Sequence, residues 1–271
     1  MTLPLAGATA SWMHREPLDH ALDTIAAHGL RHVEFFTSAP HLQATAFAAA
    51  DRKALCRRLD DLGLTALSVN PSGLDVNPIS PHSDVRALAE RIIEAEIDLA
   101  ADLAARFVVL TTGRLHALAP LARAEALALL VESYGRLADR AARAGVVLLV
   151  ETLPYGFLAR GDELAELVRT VGSDGLAMVY DVANVLDVED PCDGLRAVRD
   201  HLRLVHVSDS SRGRWAHTSP GRGEIDFAAV AATLREIGYA GPTVYELLDG
   251  EHPTPHYSTD VAALLDAGWS R

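Results

Sequence analysis

Basic residues are scarce in this sequence. Its 271 residues hold 24 Lys and Arg against 37 Asp and Glu, a formal net charge of −13. A surface this acidic repels nucleic-acid phosphates and anionic lipid, so neither nucleic acid nor membrane is expected as a partner. A small anionic substrate held by a few local arginines remains compatible. Cysteine is almost absent: Cys56 and Cys192 lie far apart in unlike contexts, which excludes a disulfide framework and a thiolate metal site. Cys56 falls in a helical pattern and reads as a small buried apolar residue. Aromatics make up 6% of the chain. No apolar run approaches the length of a membrane span. The opening MTLPLAGATA has neither a basic region nor a long apolar core, so no secretory signal is read and a cytoplasmic protein is expected.

What the sequence does have is 49% hydrophobic residues arranged in two alternating textures. Short Val- and Leu-rich runs read as strands: Leu5–Ala10, His32–Phe36, Thr65–Asn70, Phe107–Thr111, Val146–Glu151, Ala177–Asp181, Leu204–Ser208 and Thr243–Glu246. Longer Ala/Leu/charged segments between them have helical spacing: Leu18–His28, Asp51–Leu62, Ser83–Ala105, Leu121–Ala144, Asp162–Val171, Cys192–Asp200, Asp226–Ile237 and Thr259–Ala267. Gly29, Gly63, Gly145, Gly172 and Gly238 follow helical patterns, as left-handed helix stops do. Nearly continuous apolar strands imply a parallel sheet covered by helices. Eight strand–helix units without a linker imply one α/β domain over 1–271, a (β/α)8 TIM barrel. A doubly wound open sheet is the alternative. Two long segments, Asn70 to Asp84 and Asp209 to Asp226, read as binding loops.

Barrel chemistry sits where strands end. VVLLVE ends on Glu151, LAMVYD on Asp181 and PTVYE on Glu246, while LVHVSD carries His206. Three carboxylates converging on one mouth must be protonated, paired or metal-bound, and no Lys or Arg stands at the matching strand ends. One divalent cation answers this. Carboxylate and imidazole without thiolate favour Mn²⁺, with Mg²⁺, Co²⁺ and Zn²⁺ as alternatives.

The segments VVLLVETLP, VYDVANV, LVHVSDSSRGR, SPGRGEIDF and TVYELL, with the late run Gly221-Arg222-Gly223-Glu224-Ile225-Asp226-Phe227, resemble the sugar-phosphate isomerase/epimerase superfamily of xylose-isomerase-like TIM barrels. Ketose 3-epimerases, hydroxypyruvate isomerases and inosose dehydratases belong to it, as do apurinic endonucleases. The resemblance implies a metal held by Glu151, Asp181, His206 and Glu246. It implies Glu151 and Glu246 as the acid/base pair, acting through an enediolate on a small polyhydroxy carbonyl compound. Dehydration by the same groups is an alternative outcome. The resemblance also implies Arg212 as a substrate contact, with Arg214 and Arg222 as lesser candidates, His217 as a loop residue near the metal, and a possible homo-oligomer. Glu34 and Trp12 are further candidates for the wall of the pocket. Two departures stand out. Asn184 replaces the histidine of epimerase and endonuclease relatives, and Phe157 stands where many ketose epimerases have an acid. With histidines also missing from strands three and four, a non-catalytic barrel and a phosphodiesterase are the remaining, weaker readings.

Overall fold

The computed structural model describes residues 2–71, 76–248 and 254–271. Eight parallel strands close into a barrel, and a helix follows each one. The strands are β1 (Leu5–Ala8), β2 (His32–Phe36), β3 (Thr65–Asn70), β4 (Phe107–Leu110), β5 (Val147–Glu151), β6 (Leu176–Asp181), β7 (Leu202–Val207) and, after a two-stranded hairpin, β10 (Thr243–Tyr245). Around the barrel the order is β1-β10-β7-β6-β5-β4-β3-β2, so each strand pairs with its neighbours in the sequence and β10 closes the ring on β1. The helices are α1 (Leu18–Ala27), α2 (Ala49–Leu62), α3 (Ser83–Asp102), α4 (Arg123–Arg143), α5 (Gly161–Val171), α6 (Pro191–Val198), α7 (Phe227–Glu236) and α8 (Thr254–Ala267). The barrel expectation holds. Among the described residues no helix is long and apolar enough to cross a membrane.

Strand side chains alternate between the two faces of the barrel wall. Outward positions such as Leu148, Val150, Met178, Tyr180 and Val205 pack against the helices and form the larger core. Inward positions form a separate, smaller core: Ala6, Ala8, Leu67, Phe107, Val109, Leu149, Ala177, Val179, Leu204 and Val244. Small and branched residues dominate it, because eight strands leave an interior only wide enough for packed side chains. That interior seals the barrel below the site.

The ends of elements follow local chemistry. Gly63 and Gly172 close α2 and α5 in the left-handed conformation, with φ of 64° and 65°. Asp190 caps α6 by accepting from the amides of Cys192 and Asp193, with Pro191 in the first turn. Three expectations need correcting. β1 stops at Ala8, and the chain turns into a short 3₁₀ segment, Thr9–Trp12, where the Thr9 hydroxyl accepts from the Phe36 amide. Cys56 is only half-buried; its Sγ lies 3.5 Å from the Asp102 carbonyl. The segment Asp209 to Asp226 is not all loop: it contains the hairpin β8 (Asp209–Ser211) and β9 (Arg214–Thr218). Of the other long segment, residues 72–75 lie outside the described residues.

Candidate metal centre and its cavity

The period of two carries the inner wall of the barrel up to the site. Glu151 stands two residues beyond the inward Leu149, Asp181 two beyond Val179, His206 two beyond Leu204, and Glu246 two beyond Val244. Each therefore points to the barrel axis, one layer above the apolar filling. All four are buried, and one donor atom from each lies within 4.8 Å of every other. Two ligands about 2.1 Å from an ion on opposite sides are about 4 Å apart, so the set has the size of one coordination sphere.

His206 is fully buried at the centre. Its Nδ1 lies 2.9 Å from Glu151 Oε1, 3.2 Å from Glu246 Oε2 and 3.9 Å from Asp181 Oδ2. Burial opposes its charge, but the Glu34 and Glu246 carboxylates and hydrogen bonds to Glu151 and Glu246 outweigh it and push the imidazole well above its usual value. Burial pushes Glu151 up to about 8, only partly offset by His206. Asp181 is also raised, first by burial and further by the Glu246 charge, despite His217. Burial would raise Glu246 too, yet its attraction to His206 brings it below its usual value. Three carboxylates thus compete for one imidazole.

The fit to a cation rests on an orphan. Asp181 Oδ1 accepts from the amides of Ala183 at 2.7 Å and Asn184 at 3.1 Å, which fixes the carboxylate. Its Oδ2 is buried and has no hydrogen-bond partner. An unpaired buried carboxylate oxygen facing two other carboxylates and an imidazole is what a divalent ion satisfies.

A cavity of about 120 Å³ opens above the set. It is walled by Phe36, Pro71, Leu153, Trp215 and Leu248 and carries Asn70, Thr111, Asn184 and His217 as polar groups. Glu151 and Glu246 line it, whereas Asp181 and His206 lie beneath them. Asn184 sits beside β9. An indole N–H only donates, so the Asn184 oxygen faces Trp215 Nε1 at 2.6 Å. His217 Nε2 lies 3.1 Å from the same oxygen, and its Nδ1 lies 2.9 Å from the Ser208 hydroxyl and 3.7 Å from Asp181 Oδ2. The Asn184 amide nitrogen is left as a donor for the cavity.

The hairpin that brings Trp215 and His217 here is tied down by Asp209. Its Oδ1 accepts from the Ser210 and Ile225 amides at 2.9 and 3.1 Å, and its Oδ2 from the Gly221 and Gly223 amides, both at 2.8 Å. This explains the two glycines. Gly221 has φ 86°, and a side chain on Gly223 would strike the Ser210 carbonyl and the Asp209 carboxylate.

Other candidates lie elsewhere. Arg212 donates to the Leu186 carbonyl and does not line the cavity. Phe157 packs in the outer core under the Arg123 guanidinium, and Leu153 occupies the wall instead. Trp12 is fully buried against Tyr257, with ring centroids 4.8 Å apart. Glu34 is buried below the cavity and contacts His206 Nε2 at 3.2 Å. Trp215 is a pocket residue that the sequence alone does not mark. Its signal was its spacing of two from His217, which puts both on one face once the segment is a strand.

Comparisons with known proteins agree with this architecture. The chain is 26% identical to an L-ribulose-5-phosphate 3-epimerase of Salmonella paratyphi C over 129 residues, 47% of this chain and 45% of that protein. It thus spans about half the length of that relative. It is 28% identical to an L-ribulose 3-epimerase of Mesorhizobium japonicum over 212 residues, 75% of this chain and 69% of that one. Among solved structures, a D-psicose 3-epimerase from Clostridium cellulolyticum H10 with D-tagatose superimposes with a TM-score of 0.84 at 16% identity, covering 99% and 100% of the two chains. The IolI protein with a bound zinc atom gives 0.80 at 17%, covering 98% and 96%. At these identities the structures establish the fold. The profile of one family runs along residues 22–267, nearly the whole chain. With the closed eight-stranded barrel, that match places the chain in the xylose isomerase-like TIM barrel family.

Proposed function

We propose that the protein is a divalent-metal-dependent isomerase or epimerase of a small polyhydroxy carbonyl compound, with Glu151 and Glu246 as its acid/base pair. The observation that carries this reading is the buried set Glu151, Asp181, His206 and Glu246, whose two glutamates alone reach the cavity. A divalent ion bound by these four residues would polarise the substrate's carbonyl and neighbouring hydroxyl, acidifying the intervening C–H. Mn²⁺ is the favoured ion for three carboxylates and one imidazole; Mg²⁺, Co²⁺ and Zn²⁺ suit the same atoms.

The chain's own groups do the rest. Glu151 ends β5, and Glu246 follows β10, with β6 and β7 between them. Their carboxylates therefore approach a bound carbon from different sides. One, as the carboxylate, takes up the proton, and the other, as the carboxylic acid, delivers its own proton to the opposite face of the enediolate, which inverts that centre. Return to the adjacent carbon isomerises instead. The Asn184 amide offers a hydrogen bond to a substrate oxygen, and Trp215, Phe36 and Leu153 exclude water around it. Names among the relatives, L-ribulose 3-epimerase and D-psicose 3-epimerase, support ketose-like substrates.

The test is a panel of ketoses and keto-polyols in D₂O with Mn²⁺, followed by proton NMR and mass spectrometry. Deuterium is expected at the carbon next to the carbonyl, with inversion of that carbon lost in Glu246→Gln. Loss of water in place of exchange assigns the chain to dehydration. Inversion of that centre that survives Glu246→Gln refutes the two-glutamate mechanism.

A further inference from the structure

We infer that Glu34 is a positioning residue for His206, fixing which imidazole nitrogen faces the metal and strengthening it as a ligand; this rests on the metal-site reading above. Glu34 lies on β2, across the barrel from the four ligands, and is 1% exposed. Its carboxylate is held from both ends. Oε2 accepts from the Ser68 hydroxyl at 2.7 Å, and Oε1 accepts from the Asn70 amide at 3.1 Å. His206 Nε2 is 3.2 Å from the same Oε2. A carboxylate bound by two other donors meets a ring nitrogen as an acceptor, so Nε2 carries the hydrogen. That leaves Nδ1 for the cluster, and Nδ1 is the atom facing Glu151, Glu246 and Asp181.

A carboxylate that accepts from the distal N–H of a metal-bound histidine locks its tautomer and ring angle and raises its basicity. Asn70 extends the arrangement. The amide that holds Glu34 also lies 3.5 Å from Glu246 Oε1, so one side chain touches both the positioning carboxylate and a candidate ligand. The far wall of the barrel, β2 and β3, thereby supports a site whose ligands all come from the second half of the chain. Glu34 does not line the cavity, which separates this role from substrate contact.

The experiment uses the full-length protein stripped with chelator. Affinity is measured by titration with Mn²⁺ alone, and the visible absorption of the Co²⁺-loaded protein reports ligand geometry. Glu34→Gln keeps the volume and a neutral acceptor. It is expected to bind Mn²⁺ about 10- to 100-fold more weakly, with a shifted Co²⁺ spectrum and an unchanged melting temperature for the metal-free protein. Wild-type affinity, or weaker binding with an unchanged Co²⁺ spectrum, overturns the inference while leaving the metal site intact. A wild-type protein that binds no Mn²⁺ overturns the metal reading and this inference together. Should Glu34→Gln fail to fold, Ser68→Ala removes one donor that holds Glu34 and keeps the carboxylate. A severalfold loss of Mn²⁺ affinity with a shifted spectrum is then expected, and no change overturns the inference.

Discussion

Asp209→Asn removes a single charge, yet the geometry gives it a large effect. The carboxylate collects four backbone amides, two on each oxygen, at 2.8 to 3.1 Å. Asparagine keeps one acceptor oxygen and turns the other into an NH₂ group that faces two N–H donors. Two charge-assisted hydrogen bonds are lost, each worth about 1.5–3 kcal/mol. Relaxation of the segment and entry of water return part of this, leaving a net cost of about 3 kcal/mol. At about 2 °C per kcal/mol for a domain of this size, the melting temperature should fall by about 6 °C. The same change should loosen β8 and β9, which carry Trp215 and His217 into the cavity, without touching any of the four candidate ligands. Calorimetry with and without Mn²⁺ reads both effects: a lower melting temperature and a preserved metal-induced increase. A melting temperature within 1 °C of wild type would refute the assignment of Asp209 as the anchor of this segment.

Two further perturbations probe groups outside the four candidate ligands. Burial pushes Glu96 up to about 8, and its Oε2 has no hydrogen-bond partner. Between the ordinary value of 4.5 and about 8 the folded chain holds a proton that the unfolded chain releases, so stability falls as pH rises through that window, by up to about 1.4 kcal/mol per pH unit. Urea midpoints measured from pH 5 to 8 should therefore decline less steeply in Glu96→Gln than in wild type; parallel curves contradict the raised value. Asn184→Asp replaces a donor with a carboxylate beside Trp215 and His217. It should lower kcat/KM on any substrate that exchanges by about 10- to 100-fold, an acceptor facing an acceptor, while leaving metal stoichiometry intact. Unchanged turnover would remove Asn184 from the substrate contacts.

The barrel and its inner ring of candidate ligands were legible because both follow from short-range rules. Apolar runs between helical segments mark the strands, and the period of two carries each wall residue to the strand end, where Glu151, Asp181, His206 and Glu246 converge. The cavity wall was less legible. β8 has three residues and β9 five, in a segment rich in Ser, Arg and Gly, and such short polar strands carry no apolar alternation. The family resemblance implies Arg212 as a substrate contact, but side-chain direction depends on the turn of the hairpin. Gly213 places its amide on the Asp187 carboxylate at 2.7 Å, and Arg212 donates to the Leu186 carbonyl. Phe157 lies in a segment after β5 that folds back, its amide 2.7 Å from the Gly113 carbonyl, a contact between distant parts of the chain that no local pattern reveals. Glu34 was visible as an acid at a strand end. Its link to His206, 172 residues away, needed the closed barrel.

The central claim is that Glu151, Asp181, His206 and Glu246 hold one divalent ion. Its most direct test is the stoichiometry of Mn²⁺ on chelator-stripped protein, measured by equilibrium dialysis for wild type, Asp181→Asn and His206→Ala. One ion per chain in the wild type, lost in both variants, is the predicted result. No bound ion in the wild type, or an ion retained in both variants, would contradict it.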